Sequence, residues 1–205
     1  MTQAARWIHL ASLGTSELRI VCQGFARAQS GHGMPLALWG RPTESLCLHD
    51  RLWADPGEFV FALLVPRRFA PGRSERWLGW GLSPVVAAFR RCGAPAYLDG
   101  SAVCMHARRI GGGAAFELDG HAAVVGYFLP EPPASTERGR LLGFDPWLAA
   151  LDREGRARKT LAAFRTGLEA QHGWRFDTAW PNAAELAAIS DARIESGIIT
   201  LETAR

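Results

Sequence analysis

A hairpin of two strands is predicted in residues 97–130, which read YLDGSAVCMHARRIGGGAAFELDGHAAVVGYFLP. Three glycines at 111–113 lie between apolar, strand-like segments, and a basic pair precedes them. The dipeptide Asp119-Gly120 is typical of a tight two-residue turn, and a β-rich apolar run follows it at 122–129. We expect the rest of the fold to be organised around this hairpin.

Three consecutive glycines in a strand have two physical explanations. They can form a bulge or a bend, because glycine reaches backbone angles that are closed to other residues. They can also let a charged ligand lie against the backbone, where Arg108 or Arg109 would hold a phosphate or carboxylate. A Gly-Gly-Gly run alone favours the first explanation, but the sequence leaves both open.

The same stretch resembles a motif of the superfamily of lipoate-protein ligases, octanoyltransferases and biotin-protein ligases. The matching positions are Asp99, Val103, Met105, Ala107, Arg108, Arg109, Ile110, Gly111 and Gly112, followed by Asp119, Gly120 and the run at 124–129. Upstream, the turn ADPGE at 54–58 and the apolar run at 59–66 resemble a turn and a core strand of that family. Residues 35–39 resemble the strand that begins its ligand pocket.

The resemblance implies an α+β fold, in which a mixed or antiparallel sheet is flanked by helices, with residues 1–205 as a single domain. The order of strand-like and helix-like segments predicts the same class. The continuous apolar run at 59–65 predicts a strand that is buried on both faces. We expect this strand and the run at 122–129 to belong to one sheet.

Helix periodicity and end signals predict several helices. Ser83 and Pro84 are predicted to be the N-cap and first residue of a helix, because proline is favoured at that position. Further helices are predicted at 159–172, before a glycine stop signal, and at 182–189. A closing strand is predicted at 198–201.

A ligand site is also implied by the resemblance. The residues that it places there are Arg108, Arg109, Gly111, Gly112, Gly113, Asp99, Gly57 and His121. Arg109 stands where the family has its catalytic lysine and is one catalytic candidate. Cys104 is the other, because octanoyltransferase-type members carry the acyl group on a cysteine thiolate, and a histidine such as His106 can activate a thiol.

Two departures from the family pattern indicate a degenerate active site. Arg109 replaces the catalytic lysine, and the Gly-rich loop expected between Trp39 and Asp55 is missing from the sequence. We therefore expect a protein that binds a small acyl cofactor or a carrier domain without ATP-dependent ligation. An active lipoyl, octanoyl or biotinyl transferase that modifies a carrier lysine is the alternative, and a structural partner of another subunit is a third possibility.

The implied ligands are lipoate, octanoate or biotin, free or as an adenylate, and the implied partner is a lipoyl or biotinyl carrier domain. The net charge is only +3, and the arginines are spread along the chain, which argues against nucleic acid. No 18-residue apolar run is present, and no secretory signal pattern, so we expect a cytoplasmic protein without membrane contact. No metal site is predicted, because the two Cys-x-His pairs lack zinc-binding spacing.

Overall fold

The computed structural model describes residues 2–13, 17–29, 33–129 and 152–196. The strands are β1 (Gln3–Leu13), β2 (Leu36–Pro42), β3 (Leu46–His49), β4 (Leu52–Ala54), β5 (Phe59–Pro66), β6 (Tyr97–Asp99), β7 (Ala102–Met105), β8 (Arg108–Leu118), β9 (His121–Phe128) and β10 (Trp174–Thr178). The helices are α1 (Glu17–Gln29), α2 (Trp77–Arg91), α3 (Arg153–His172) and α4 (Ala183–Glu195). Two short 3-10 turns, Arg67–Phe69 and Ser74–Arg76, precede α2.

Eight strands form one mixed sheet in the order β10-β1-β2-β5-β9-β8-β7-β6. Strand β1 runs parallel to β10 and to β2, and the remaining neighbours are antiparallel. Strands β5 and β9 are hydrogen-bonded neighbours, so the expectation that they share a sheet is confirmed. The α+β class with a mixed sheet is confirmed as well.

Helices cover both faces of this sheet and create two cores. On one face, α2 and α3 pack through Phe89 and Phe164 against the sheet residues Phe61 and Phe128. On the other face, α1, α4 and the small β3–β4 hairpin cover a second core. All eight residues of β5 are buried because this strand lies between the two cores, as its continuous apolar run predicts.

The turn between β8 and β9 is the predicted Asp119-Gly120 turn. Both residues have positive φ, 44° at Asp119 and 78° at Gly120, as a type I′ hairpin turn requires. The turn sets the strand register, which places Gly112 opposite Tyr127. This local signal therefore decides which residues of β9 lie beside the three glycines.

Helix α2 differs from its prediction, because it begins at Trp77 and runs through Pro84. The predicted helix start at Ser83 and Pro84 is therefore wrong. Proline has no N–H to donate to the carbonyl four residues earlier, which here belongs to Trp80. The Ser83 hydroxyl lies 3.0 Å from that carbonyl oxygen and 2.6 Å from Gln171 Oε1, and it can donate its one hydrogen to either acceptor.

Helix α4 is held against the sheet by a buried carboxylate. Glu185 is 2% exposed and forms an ion pair with Arg6 of β1. Its carboxylate also accepts a hydrogen bond from the Asn182 amide, and the Asn182 side chain accepts from the Glu185 amide in return. This capping box begins α4 within the predicted range, while the predicted strand at 198–201 lies outside the described residues.

Strand β10 was not among the sequence predictions, and it directly follows the predicted end of α3. Gly173 has φ of 68° and terminates α3, as the glycine stop signal predicts. Trp174 and Phe176 of β10 then enter the core under α3. None of the described helices is long and apolar enough to cross a membrane.

Candidate functional site

A tight turn positions one carboxylate of the candidate site at the start of β5. In the sequence Asp55-Pro56-Gly57-Glu58, the Glu58 amide donates to the Asp55 carbonyl at 3.1 Å. Gly57 has φ of 92°, which suits the third position of a type II turn after a proline. The Asp55 amide donates to Glu58 Oε2 at 2.8 Å, so the turn holds the Glu58 carboxylate in place.

Arg109 supplies the positive charge of the site from the start of β8. Its Nε donates to the Gly111 carbonyl at 3.3 Å, and its guanidinium carbon lies 5.5 Å from the centre of the Tyr127 ring. Among the described residues, no carboxylate oxygen lies within 4 Å of its nitrogens. The side chain is exposed, and a guanidinium has five N–H donors, so most of them are free to bind a ligand.

The three glycines allow close packing, and only the middle one faces Arg109. A Cβ atom on Gly112 would lie 2.3 Å from Arg109 Nη2, so the absence of a side chain there makes room for the guanidinium. Cβ atoms on Gly111 and Gly113 would lie 2.7 Å from carbonyl oxygens of β9, and the one on Gly113 would also meet Leu82 of α2. All three glycines therefore allow close packing, and Gly112 also leaves space for the Arg109 guanidinium.

Electrostatic interactions join Arg109 to the β5 turn and to β9. Partial burial raises the pKa of the Glu58 carboxyl, while its hydrogen bond from Asp55 and the Arg109 charge act in the opposite direction. Partial burial likewise raises the pKa of the Tyr127 phenol, and the Arg109 charge again opposes the effect. Two carboxylates, a phenol and a guanidinium thus lie near each other, on the sheet face that carries the β3–β4 hairpin. We call Asp55, Glu58, Arg109 and Tyr127 the Arg109 cluster.

Cys104 borders this cluster from strand β7. It lies opposite Arg109 in the β7–β8 pair and is 8% exposed, and its charge would act on Tyr127. His106 is exposed in the following turn. The other Cys-x-His pair, Cys47 and His49, lies on β3 in the separate two-stranded sheet, so the structure does not bring the two pairs together on adjacent strands. In the described parts of the chain, no group of three or more His, Cys, Asp or Glu side chains could hold a metal ion.

The remaining sequence-predicted site residues lie at three different places. Arg108 is exposed at the start of β8, opposite Met105. Asp99 is exposed at the end of β6, two strands away from β8. His121 is fully buried at the other end of β9, where its Nδ1 lies 3.0 Å from the Asp119 carbonyl oxygen. Tyr127 lies six positions after His121 on β9, about 20 Å along the strand.

Sequence reasoning did not place three members of the cluster at the site: Asp55, Glu58 and Tyr127. A signal existed for each. The Asp-Pro-Gly turn determines the position of the residue that follows it, Glu58. The strand register set by the Asp119-Gly120 turn pairs Tyr127 with Gly112. What the sequence did not show is that the two segments meet, because that depends on β5 pairing with β9.

Comparisons with known proteins give a fold but no close relative. No protein-family model matches the sequence, and no curated protein matches it. Solved structures do match. A bi-partite lipoate protein ligase from Thermoplasma acidophilum, described with its E2 lipoyl domain, is 11% identical with a TM-score of 0.64, over 98% of this chain and 99% of that one.

Two further structures show the same similarity. Lipoate-protein ligase A bound with ATP is 13% identical with a TM-score of 0.60, over 92% of this chain and 93% of that one. Biotin protein ligase from Leishmania major, in complex with biotinyl-5-AMP, is 13% identical with a TM-score of 0.52, over 98% and 84% of the two chains. This chain therefore has the fold of lipoate- and biotin-protein ligases, as the sequence resemblance implied.

Proposed function

We propose that the chain binds a small acyl group, lipoyl, octanoyl or biotinyl, at the Arg109 cluster, as a free ligand or on a carrier domain. The observation that carries the proposal is the guanidinium of Arg109, which lies beside Glu58 and Tyr127 with most of its donors free. Proteins of this fold include a lipoate protein ligase described with its lipoyl domain, which supports an acyl or carrier ligand.

The proposed function does not include ATP-dependent ligation. An ammonium is a compact point charge on a flexible stem, whereas a guanidinium is a wide planar fork, so Arg109 is a poor substitute for a catalytic lysine. Its fork can instead clamp an oxygen-bearing group with two parallel hydrogen bonds. The connection from β2 to β3 is also short: it comprises residues 43–45 and contains no glycine. A loop of glycine N–H groups that could cradle phosphates is therefore lacking there.

Thermal-shift and calorimetric binding measurements with lipoate, octanoate and biotin test the proposal. A ligand at a hundred times its dissociation constant stabilises the folded state by about 2.7 kcal/mol. We expect Arg109→Ala to weaken binding at least tenfold, because it removes the hydrogen-bond donors. Arg108→Ala is the matched control, since Arg108 is an exposed arginine next to Arg109 in the chain. Equal affinity in Arg109→Ala and the wild type would contradict the assignment.

A second candidate function, acyl transfer, is favoured by the position of Cys104 beside the cluster. Its thiolate would attack the carbonyl of an acyl thioester, form a new thioester and release the donor thiol. A carrier lysine would then take the acyl group and regenerate the thiol. Mass spectrometry after incubation with an octanoyl thioester tests this function, because the adduct must appear on Cys104 and be lost in Cys104→Ala.

A further inference from the structure

The Arg109 cluster carries more negative than positive charge. The charged side chains that act on Glu58 are Asp55, which lies in the same turn, and Arg109, which lies on β8. With both carboxyls ionised, the formal charge of the three groups is −1. A ligand that is itself an anion would gain one attraction there and meet two repulsions.

Glu58 and Arg109 interact without forming a closed ion pair. Their charges act on each other, yet their nitrogen and oxygen atoms are more than 4 Å apart. Glu58 Oε2 accepts from the Asp55 amide. Within the described residues, Oε1 has no hydrogen-bond donor and Arg109 uses only its Nε. The sheet register brings the two residues near each other, because Phe59, next to Glu58, pairs with Phe128, and Phe128 pairs with Gly111, two positions from Arg109. The site thus presents hydrogen-bond donors from β8 and an acceptor from the turn before β5.

We propose that this site prefers an acyl group in amide linkage, such as an acylated lysine, to the corresponding free acid. The amide carbonyl would accept hydrogen bonds from Arg109, and the amide N–H would donate to Glu58. A free carboxylate offers only acceptors, so it would leave Glu58 without a donor and place two like charges together. The inference rests on the proposed function, because both place the acyl group at Arg109.

The preference also indicates the kind of partner. An amide that joins an acyl chain to a lysine is neutral and exists only after the carrier has been modified. The site would therefore recognise the acylated form of a carrier lysine rather than supply the acyl group from solution. Tyr127 fits this assignment, because the half-buried ring that borders Arg109 offers an apolar surface to the first atoms of the chain.

Paired ligands that differ only in the acid or amide group test the preference. Calorimetric titration with lipoic acid and with lipoamide at neutral pH gives two dissociation constants and their ratio. For the wild type we expect lipoamide to bind about threefold to tenfold more tightly than lipoic acid. This ratio corresponds to the free energy of a partly screened repulsion between two charges. Glu58→Gln is expected to remove or reverse the ratio, because it removes the charge and adds a donor. Glu117→Gln is the control, since this exposed glutamate pairs with Arg67.

The possible results distinguish a failure of the amide preference from a failure of the proposed function. If lipoic acid binds more tightly than lipoamide to the wild type, the amide preference is wrong and the acyl site stands. An unchanged ratio in Glu58→Gln also overturns the preference. If lipoic acid and lipoamide do not bind, and octanoate and biotin do not bind either, the proposed function fails and the inference with it. The wild-type ratio requires no variant, so the test holds even if Glu58→Gln does not fold.

Discussion

The guanidinium of Arg109 lies in the space that a side chain on Gly112 would occupy, 2.3 Å from the position of its Cβ atom. The two residues are on the same strand, and Gly112 is also opposite Tyr127, over whose ring the guanidinium lies. The conformation of Arg109 in the ligand-free protein therefore depends on the absence of a side chain at Gly112.

Gly112→Ala is expected to displace the Arg109 side chain and to weaken acyl-ligand binding about as much as Arg109→Ala does. The atom that the new methyl group meets is the end of a flexible, exposed side chain, so we expect the unfolding free energy to fall by less than the roughly 1–3 kcal/mol that overpacking of a buried core costs. A double-mutant cycle with Arg109→Ala, measured by urea unfolding, isolates the contribution of the Arg109 contact. The methyl group would also lie 3.0 Å from the Ser101 carbonyl oxygen, but that contact is present in both backgrounds and cancels.

Additivity of the two substitutions would contradict this arrangement. If Gly112→Ala destabilises the Arg109→Ala variant as much as the wild type, then the guanidinium does not occupy the space. Gly72→Ala serves as the control, because nothing lies within 4 Å of a Cβ atom at this glycine.

Local sequence signals predicted the parts of the fold that depend on few residues. The Asp119-Gly120 turn fixed the β8–β9 register, because only a limited set of residues accepts positive φ at both turn positions. The uninterrupted apolar run identified β5, because a strand between two cores needs no polar face. The first signal depends on backbone preference and the second on burial. Both properties can be predicted from a few consecutive residues.

The Arg109 cluster could not be predicted in the same way, because its members come from the turn before β5 and from strands β8 and β9, which meet only in the folded sheet. Glu58 follows a recognisable turn, but nothing near it in sequence indicates a distant guanidinium. The path of α2 through Pro84 also escaped prediction, although the Ser83 hydroxyl lies within hydrogen-bond distance of the carbonyl that the proline leaves without a backbone donor. In that helix, therefore, the rule that proline interrupts a helix did not predict the structure.

ATP-dependent activation of a carboxylic acid is expected to be absent. Arg109 replaces a lysine, and the β2–β3 connection lacks glycines. Pyrophosphate release should therefore stay at background when ATP and lipoate, octanoate or biotin are supplied together, also in Arg109→Lys. An active lipoate-protein ligase assayed in parallel is the positive control. Pyrophosphate release that depends on one of the three acids would show that adenylation occurs and contradict the proposed function.

Gly24 determines how closely α1 approaches α4. A Cβ atom on Gly24 would lie 2.6 Å from the Ile189 backbone N and Cα, which cannot move without the helix. We expect Gly24→Ala to lower the unfolding free energy by about 1–3 kcal/mol through forced separation of the helices. Gly79→Ala in α2 is the matched control and should be neutral or raise stability by up to about 1 kcal/mol, because its Cβ would meet nothing within 4 Å. Urea unfolding of both variants measures the difference, and similar losses in the two would contradict the close helix contact.

His172 at the end of α3 packs between two tryptophans, with its ring centre 4.1 Å from that of Trp80 and 4.6 Å from that of Trp174. Burial lowers the pKa of its imidazole from 6.5 to about 4, and both ring nitrogens are buried without a hydrogen-bond partner among the described residues. The folded state therefore favours the neutral ring, whereas the unfolded chain takes up a proton near pH 6.5. Protonation consequently favours unfolding as the pH falls.

The contribution of His172 to stability should be fully present above pH 6.5 and should decrease as the pH falls from 6.5 toward 4. A shift of this size corresponds to at most about 3 kcal/mol, because one pKa unit is worth 1.36 kcal/mol. His172→Phe keeps an aromatic ring between Trp80 and Trp174 but cannot bind a proton. We expect the difference in unfolding free energy between the wild type and His172→Phe, measured by urea unfolding at each pH, to change over this interval, with the wild type losing more. Carboxyl groups that titrate at the lower end of the interval affect both proteins alike, so a difference that stays constant from pH 7 to pH 4 would show that His172 is accessible to protons in the folded state.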